Sequence, residues 1–368
     1  MTTLFLTVIP SPYQRQLFAA MAEDGMSIAV RYFSGGAHDR VWDLPDLAPY
    51  ERIMVGRTLR QLGPSAHWNP GVFDEISEVN PELVVISDYS APTAQMAMRA
   101  CARRGIQFVF WGEVPGFSRR GPVGTFLRTR LQAPIRLASA IAGIGAGAVV
   151  AYRDLFPGKL IVNIPYFCEL AQFRMAAAAA PRKNTTDILF SGQMIHRKGI
   201  DLLIEAFQRI AGAYPELRLV LLGDGPERAH YEAMVPDALR HRVVFEGHRD
   251  PTELPHLFAA ADVFCLPSRH DGWGVVVNEA LGAGLPLVLS DGVGAGRDLV
   301  QAGQTGFVVP AGQVAPLAEA LGRLAGDAHL RAQMGRAASE AALQWDVGEG
   351  VKRWRALAHS LTKEPATA

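Results

Sequence analysis

Cysteine is scarce: Cys101, Cys168 and Cys265 stand alone in 368 residues, with no CxxC pair. Neither a zinc site nor a disulfide framework follows from them, and a reducing compartment fits. Charge of neither sign is in excess, 36 basic side chains against 36 acidic, so nothing calls for nucleic acid as a partner. Long apolar runs are also missing. The opening MTTLFLTVIPSP has no basic leader and is broken by Pro10 and Pro12 before it reaches signal-peptide length, so it reads as a first strand. The longest weakly apolar stretch, Leu137 to Tyr152, is bounded by Arg136 and Arg153. It falls short of the roughly 20 residues a spanning helix needs and reads as strand, turn and helix. A cytoplasmic protein is the expectation.

Common catalytic signatures are absent in turn. GxxxxGK[ST] and HExxH do not occur, which removes support for P-loop and zincin chemistry, and there is no DxD. The dinucleotide fingerprint GxGxxG fails three times. Gly223 and Gly225 are followed by Arg228, Gly143 and Gly145 by Ala148, and Gly292 and Gly294 by Arg297. A dehydrogenase is excluded with them.

What is present is an ordinary globular composition, 49% apolar and 20% charged, on a chain too long for one growing core. Two domains are expected. Short β-branched runs alternate with amphipathic stretches, the signature of parallel sheets with helical crossovers. In the first half strands are expected at Leu4–Ile9, Ile28–Phe33, Leu83–Ser87, Phe108–Trp111, Ile141–Gly145 and Leu160–Ile164, with a helix around Ala94–Arg104. The run MAAAAAPRKNTT then loses periodicity and reads as a linker. A second series follows: strands ILFSG, RLVLLG, VVFEG, VFCLPS, PLVLS and GFVVP, with helices from Gly199, after Pro226, over Thr252–Ala260 and over Gly274–Ala283. The fold class is α/β with two doubly wound, Rossmann-like domains, residues 1–174 and 187–345. Residues 175–186 link them, and a C-terminal helix in 346–368 is expected to pack back on the first domain. Ligands of open α/β sheets lie beyond the carboxyl ends of strands, so chemistry is expected in a cleft between the two domains.

Three junctions of the second domain stand out. In SGQMIHRKGID, Arg197 and Lys198 come where a helix begins, although cations oppose the dipole there. An anion held by the first-turn N–H groups and both cations would explain them; a solvated surface pair is the plain alternative. LLGDGPER is glycine-rich after a strand. In PSRHDGWGVVVNEALGAGLPLV, Asp271 follows a strand, Gly272-Trp273-Gly274 opens a helix, and Glu279 lies eight residues beyond Asp271. Such a spacing alone means little, since about three or four pairs of this kind are expected by chance. Its setting means more. The glycines allow a ligand close to the backbone, and Glu279 interrupts an apolar helix where an unpaired carboxylate is costly. A hydroxyl pair of a ligand would satisfy it; a capped or salt-bridged structural Glu is the alternative.

Taken together, FSGQMIHRKGIDLLIEAF, LVLLGDGPER, VVFEGH, DVFCLPSRHDGWGVVVNEALGAGLPLV and TGFVVP resemble, in order and spacing, the donor domain of family 4 retaining glycosyltransferases of the GT-B fold. The likeness spans roughly residues 187–325, with a fainter echo in IVNIPYFCELAQF. It implies an enzyme that moves a sugar from a nucleoside-diphosphate sugar to a saccharide or lipid-linked acceptor, in polysaccharide or glycoconjugate synthesis. The anomeric configuration would be retained, with no cofactor and no metal. By the same resemblance Lys198, with Gly192, Gln193 and Arg197 beside it, holds the diphosphate, and Glu279 accepts from the ribose hydroxyls. Asp271 contacts the transferred sugar, Gly272, Trp273 and Gly274 present backbone N–H groups, and Gly247 and His248 border the base. Gln193 stands where the family usually has Arg, Asp271 where it has Glu, and Pro10-Ser11-Pro12-Tyr13-Gln14 where a glycine pair is common. Glu113, after the strand FVFW, is the candidate for hydrogen bonding the acceptor. Two rivals remain open: a GT-B nucleotide-sugar epimerase and a non-catalytic nucleotide-binding partner.

One segment departs from overall neutrality. Between Arg99 and Arg136 there are eight arginines, Arg99, Arg103, Arg104, Arg119, Arg120, Arg128, Arg130 and Arg136, against one acid, Glu113, a local net charge of +7. Phe117, Val123, Phe126, Leu127, Leu131 and Ile135 lie among them. The mixture suits an anionic membrane surface, which would make the enzyme peripheral on the inner face; alternatively these apolar residues face the domain's own sheet.

Overall fold

Runs of Val, Ile, Leu and Phe only a few residues long, closed by Gly, Pro or Ser, are apolar on both faces and so suit strands covered on both sides. The computed structural model, which describes residues 1–36, 46–59, 66–115, 121–181 and 183–363, forms such strands throughout. In chain order come β1 (Thr2–Thr7), α1 (Pro12–Glu23), β2 (Ser27–Tyr32), β3 (Glu51–Ile53), β4 (Arg57–Thr58), β5 (His67–Trp68), α2 (Val72–Val79), β6 (Leu83–Ile86) and α3 (Pro92–Arg104). Next are β7 (Gln107–Gly112), α4 (Pro122–Gln132), β8 (Ala140–Gly143), α5 (Ala146–Leu155), β9 (Leu160–Asn163), α6 (Ala171–Ala179), β10 (Thr186–Ser191), α7 (Ile200–Ala211), β11 (Leu217–Leu222) and α8 (Arg228–Met234). The series ends with β12 (Val243–Gly247), α9 (Leu254–Ala259), β13 (Val263–Leu266), α10 (Val276–Gly282), β14 (Leu287–Ser290), α11 (Gly296–Leu299), β15 (Gly306–Val309), α12 (Val314–Gly326), α13 (Ala328–Ala342) and α14 (Val347–Lys363).

The elements form two units. Unit 1 takes Met1–Phe167 and the stretch from Val347 onward, and unit 2 takes Cys168–Asp346. The first sheet runs β3-β2-β1-β6-β7-β8-β9 and the second β12-β11-β10-β13-β14-β15, each pairing parallel. In unit 1, Leu4, Leu6, Val84, Ile86, Phe108 and Ile141 are buried on their strands against the helices that cover the sheet. Among the described residues no helix is long and apolar enough to cross a membrane.

The expected linker is not one. Its first residues finish α6, which buries Phe173 and Ala176 and sets the Phe173 ring edge-on against Phe258 of α9 at 5.5 Å. Ala is the strongest helix former, so an Ala tract holds a helix with few apolar anchors. The chain leaves unit 1 earlier, between Phe167 and Cys168, and returns to it after Asp346. There α14 buries Val351, Trp354, Leu357 and Leu361, with the Trp354 ring edge-on to Trp111 at 5.2 Å and to Phe5 at 5.4 Å.

Candidate functional site

In the second sheet the strand order reverses between β10 and β13, and at such a switch point the loops after the two strands part and leave a crevice beyond their carboxyl ends. The loop after β10 carries Gly192, Gln193, Arg197 and Lys198; the loop after β13 carries Asp271 to Gly274. They meet through charge. Lys198 Nζ donates to Asp271 Oδ2 at 2.5 Å, and Arg197 Nη1 lies 3.6 Å from Asp271 Oδ1 while donating to the His270 carbonyl at 2.8 Å. Lys198 and Asp271 are both largely buried, each side chain 12% exposed, so neither charge is screened by bulk water as a surface pair would be.

The two cations do not sit in a helix's first turn, as the sequence suggests. His196–Lys198 is a separate 3-10 turn, and Gly199 then takes a left-handed conformation, φ 74°, before α7 begins. The first turn of α7 instead carries Asp201, which accepts two hydrogen bonds from Arg269 at 2.8 and 2.5 Å. Burial works against the charged Asp201, yet the Arg269 hydrogen bonds hold its carboxyl below the ordinary value. Arg269 also donates to the His196 carbonyl at 2.8 Å, which ties the cationic turn to the loop after β13.

Glycines let the strand-end loops touch backbone to backbone. A Cβ on Gly223 would lie 2.1 Å from the Gly192 carbonyl oxygen, and one on Gly294 would lie 2.1 Å from the Gly272 carbonyl oxygen. Gly223 N–H donates to the Gly247 carbonyl at 2.8 Å. The incomplete fingerprints are therefore packing sites. They link Gly247 through Gly223 to Gly192, which borders Lys198, whose Nζ lies 3.8 Å from a Cβ built there. His248, next to Gly247, is exposed, and Glu246 is paired with Arg249.

The Trp273 ring adds what its expected backbone role did not specify. The residue is 1% exposed and its Nε1 donates to Asn278 Oδ1 at 2.9 Å, so the ring is part of the core. Among the described residues the N–H groups of Gly272, Trp273, Gly274 and Val275 have no acceptor. The Glu279 carboxylate, in α10, likewise has neither a hydrogen-bond donor nor an ion-pair partner among them, and burial pushes its carboxyl up to about 7. An unpartnered carboxylate can accept from hydroxyls, and the four unmatched amides nearby in the chain can donate to negative charge.

Glu113 lies in the other unit, just beyond β7. Its carbonyl accepts from Tyr152 Oη at 2.8 Å and its Oε1 from Tyr166 Oη at 3.4 Å. The Tyr13 and Tyr166 rings lie 4.7 Å apart beside it, an aromatic pair that periodicity could not reveal because its members are far apart in sequence.

Residues 173–341 match the family model described as Glycosyl transferases group 1. Over 168 residues the chain is 34% identical to a glycogen synthase of Mycobacterium tuberculosis, covering 45% of this chain and 40% of that protein. Over 148 residues it is 36% identical to a 2-deoxystreptamine glucosyltransferase of Streptomyces kanamyceticus, covering 40% and 38%. The chain thus spans well under half the length of these curated relatives. Among solved structures, that of Anabaena HepE in complex with UDP aligns at TM-score 0.75 and 18% identity over 98% of this chain and 100% of its own. The sucrose-phosphate synthase of Thermosynechococcus elongatus aligns at 0.74 and 20% over 98% and 99%. At that identity the likeness is one of fold: two Rossmann-like α/β units of the GT-B type.

Proposed function

We propose, from the premise that residues 173–341 belong to the group 1 glycosyl transferases, that this protein transfers a sugar from a nucleoside-diphosphate sugar to a saccharide acceptor. The observation that carries the reading is the switch-point pair Lys198–Asp271 with the partnerless Glu279 on the following helix. UDP in the HepE complex supports a nucleoside diphosphate as the leaving group.

In this mechanism the diphosphate lies along the loop after β10. Lys198 and Arg197 offset the charge that develops when the bond from the anomeric carbon to the phosphate oxygen breaks, and the amides of residues 272–275 add preorganised donors. Glu279 accepts from two ribose hydroxyls, and Asp271, released from Lys198 as the phosphate takes its place, accepts from hydroxyls of the transferred sugar. The acceptor oxygen bonds to the anomeric carbon from the face the diphosphate leaves, and its proton passes to a phosphate oxygen. Configuration is retained. Lys198, Arg197 and the amides supply the positive field, so the reaction calls on no cofactor. Glu113 and the neighbouring tyrosines would orient the acceptor, free or lipid-linked. The site belongs in the cytoplasm, on the inner face of the membrane when the acceptor is a lipid.

The test is a screen of nucleotide sugars by thermal unfolding, since a ligand that binds only the folded state raises its melting temperature by mass action. One nucleotide sugar should stabilise the protein, and with an acceptor give a linkage of unchanged anomeric configuration by proton NMR, at a rate that EDTA leaves unaltered. Stabilisation by none of them would end this reading; isomerised donor without acceptor would replace it with an epimerase.

A further inference from the structure

A helix that belongs to a domain core hides its apolar face, and α4 does not. Val123 is 82% exposed, Phe126 61% and Leu127 51%, three large apolar residues within five positions of one another on a helix whose side chains are mostly in solvent. At 100° per residue Val123, Phe126, Leu127 and Arg130 fall on one face. The Arg130 guanidinium sits over the Phe126 ring, 5.0 Å from its centroid. The apolar residues that do turn inward lie beyond the helix: Ile135 is fully buried, while Leu137 next to Arg136 is again exposed at 53%. The alternative that this segment simply faces its own sheet therefore holds for Ile135 and fails for Val123, Phe126 and Leu127. Phe117, Arg119 and Arg120 lie outside the described residues.

We propose that α4 is a membrane-docking element, its Val123, Phe126 and Leu127 entering the acyl boundary of an anionic bilayer while Arg128 and Arg130 meet the lipid phosphates. Two independent features select a lipid surface over a protein partner. Solitary exposed apolar residues are common, but a Val, Phe and Leu clustered on one helical face are too few for a stable protein interface and suffice to anchor a peripheral protein when cations assist. The charge is one-sided as well: from Gly121 to Leu137 the chain carries Arg128, Arg130 and Arg136 and no acid, which is the distribution an anionic surface attracts and an acidic-basic protein contact lacks. Docking itself does not depend on the glycosyltransferase reading. Its consequence does: with that reading, the acceptor is a lipid-linked saccharide or glycolipid presented at the same surface.

The experiment is flotation of the full chain with vesicles of phosphatidylcholine alone or mixed equally with phosphatidylglycerol, without any nucleotide. Wild type should float with the anionic vesicles at low salt and detach as salt rises. Changing Val123, Phe126 and Leu127 together to Ser should lower partitioning by about tenfold or more at little change in melting temperature, because each of these residues is more than half exposed. Arg128→Ser with Arg130→Ser should lower it on anionic vesicles only. A dye on Phe126→Cys should shift to the blue when anionic vesicles are added, and labelling is selective because all three native cysteines are buried. Failure of wild type to float at low salt, equal flotation of all variants, or an unshifted dye would overturn the proposal. So would a dimer in light scattering that the triple Ser change splits, since the face would then belong to a second copy. None of these outcomes touches the nucleotide-sugar site, whose own test is the thermal screen.

Discussion

A carboxylate that no described residue satisfies is a liability unless a ligand uses it, and Glu279 is such a group. Its folded-state value of about 7 lies above the ordinary carboxylate value, because burial penalises the charge. The sign follows directly. Below the unfolded value the group is protonated in both states and costs nothing; as pH rises toward 7 the unfolded chain ionises first, so the unliganded protein loses on the order of 3 kcal/mol. Two ribose hydroxyls favour the ionised form, so the donor should bind more tightly as pH rises to about 7 and level off beyond it, releasing a proton on binding near pH 6. Calorimetry in buffers of different ionisation enthalpy reads that proton, and Glu279→Gln should abolish both the release and the pH dependence. A second residue separates phosphate from sugar. Lys198→Ala should weaken free nucleoside diphosphate and donor alike, by about 2 kcal/mol for the lost charged contacts. Asp271→Asn removes the carboxylate that competes for Lys198, so it should not weaken the free nucleoside diphosphate but should lower the rate. If Lys198→Ala altered only the acceptor constant, the diphosphate assignment would fall.

At the scale of elements, the site depends on loops that only glycine allows to touch. Gly294→Ala must push the Gly272 carbonyl away, an overpacking of about 1–3 kcal/mol, so the melting temperature should drop by several degrees and nucleoside diphosphate affinity should fall with it. Gly212→Ala, at the end of α7 where a Cβ meets nothing within 4 Å, is the matched control and should be near neutral. An equal response to both changes would mean that loop contact is not what these glycines provide. The strands were legible for a plain reason: β1, β2, β6, β7, β8 and β9, and all six of unit 2, are short apolar runs closed by turn residues, and each is found within a few residues of its expected place. The region of β3 to β5 was not, since strands of two or three residues carry no period. Residues 175–186 misled because an Ala tract has neither polarity nor periodicity to distinguish helix from linker, and α6 is fixed by Phe173 meeting Phe258 from far along the chain. The site shows the same limit. Lys198 and Asp271 each stood out by local context, but their contact spans 73 positions and only the strand order brings it about. The burial of the Trp273 ring behind a glycine-rich loop was invisible for the same reason.

At the scale of the whole molecule, unit 1 is completed by a helix that the chain delivers only after finishing unit 2. The four large apolar side chains of α14 that are buried, Val351, Trp354, Leu357 and Leu361, contribute about 1.5–3 kcal/mol each, together comparable to the 5–15 kcal/mol that holds a typical domain folded. Trp354 matters most, because it closes the Phe5, Trp111 and Trp354 ring cluster that stands between β1 and β7. Ending the chain after Asp346 should therefore unfold unit 1 and spare unit 2, whose sheet, switch point and Lys198–Asp271 pair lie wholly within 168–346. Calorimetry of the truncated protein should show one transition, and nucleoside diphosphate should still raise it. The milder change Trp354→Ala, costing about 3–5 kcal/mol by the cavity it leaves, should lower the unit 1 transition alone. A truncated protein in which unit 1 melts as before, or in which the surviving transition ignores the nucleotide, would show that α14 is not what completes unit 1 or that unit 2 does not carry the donor site by itself.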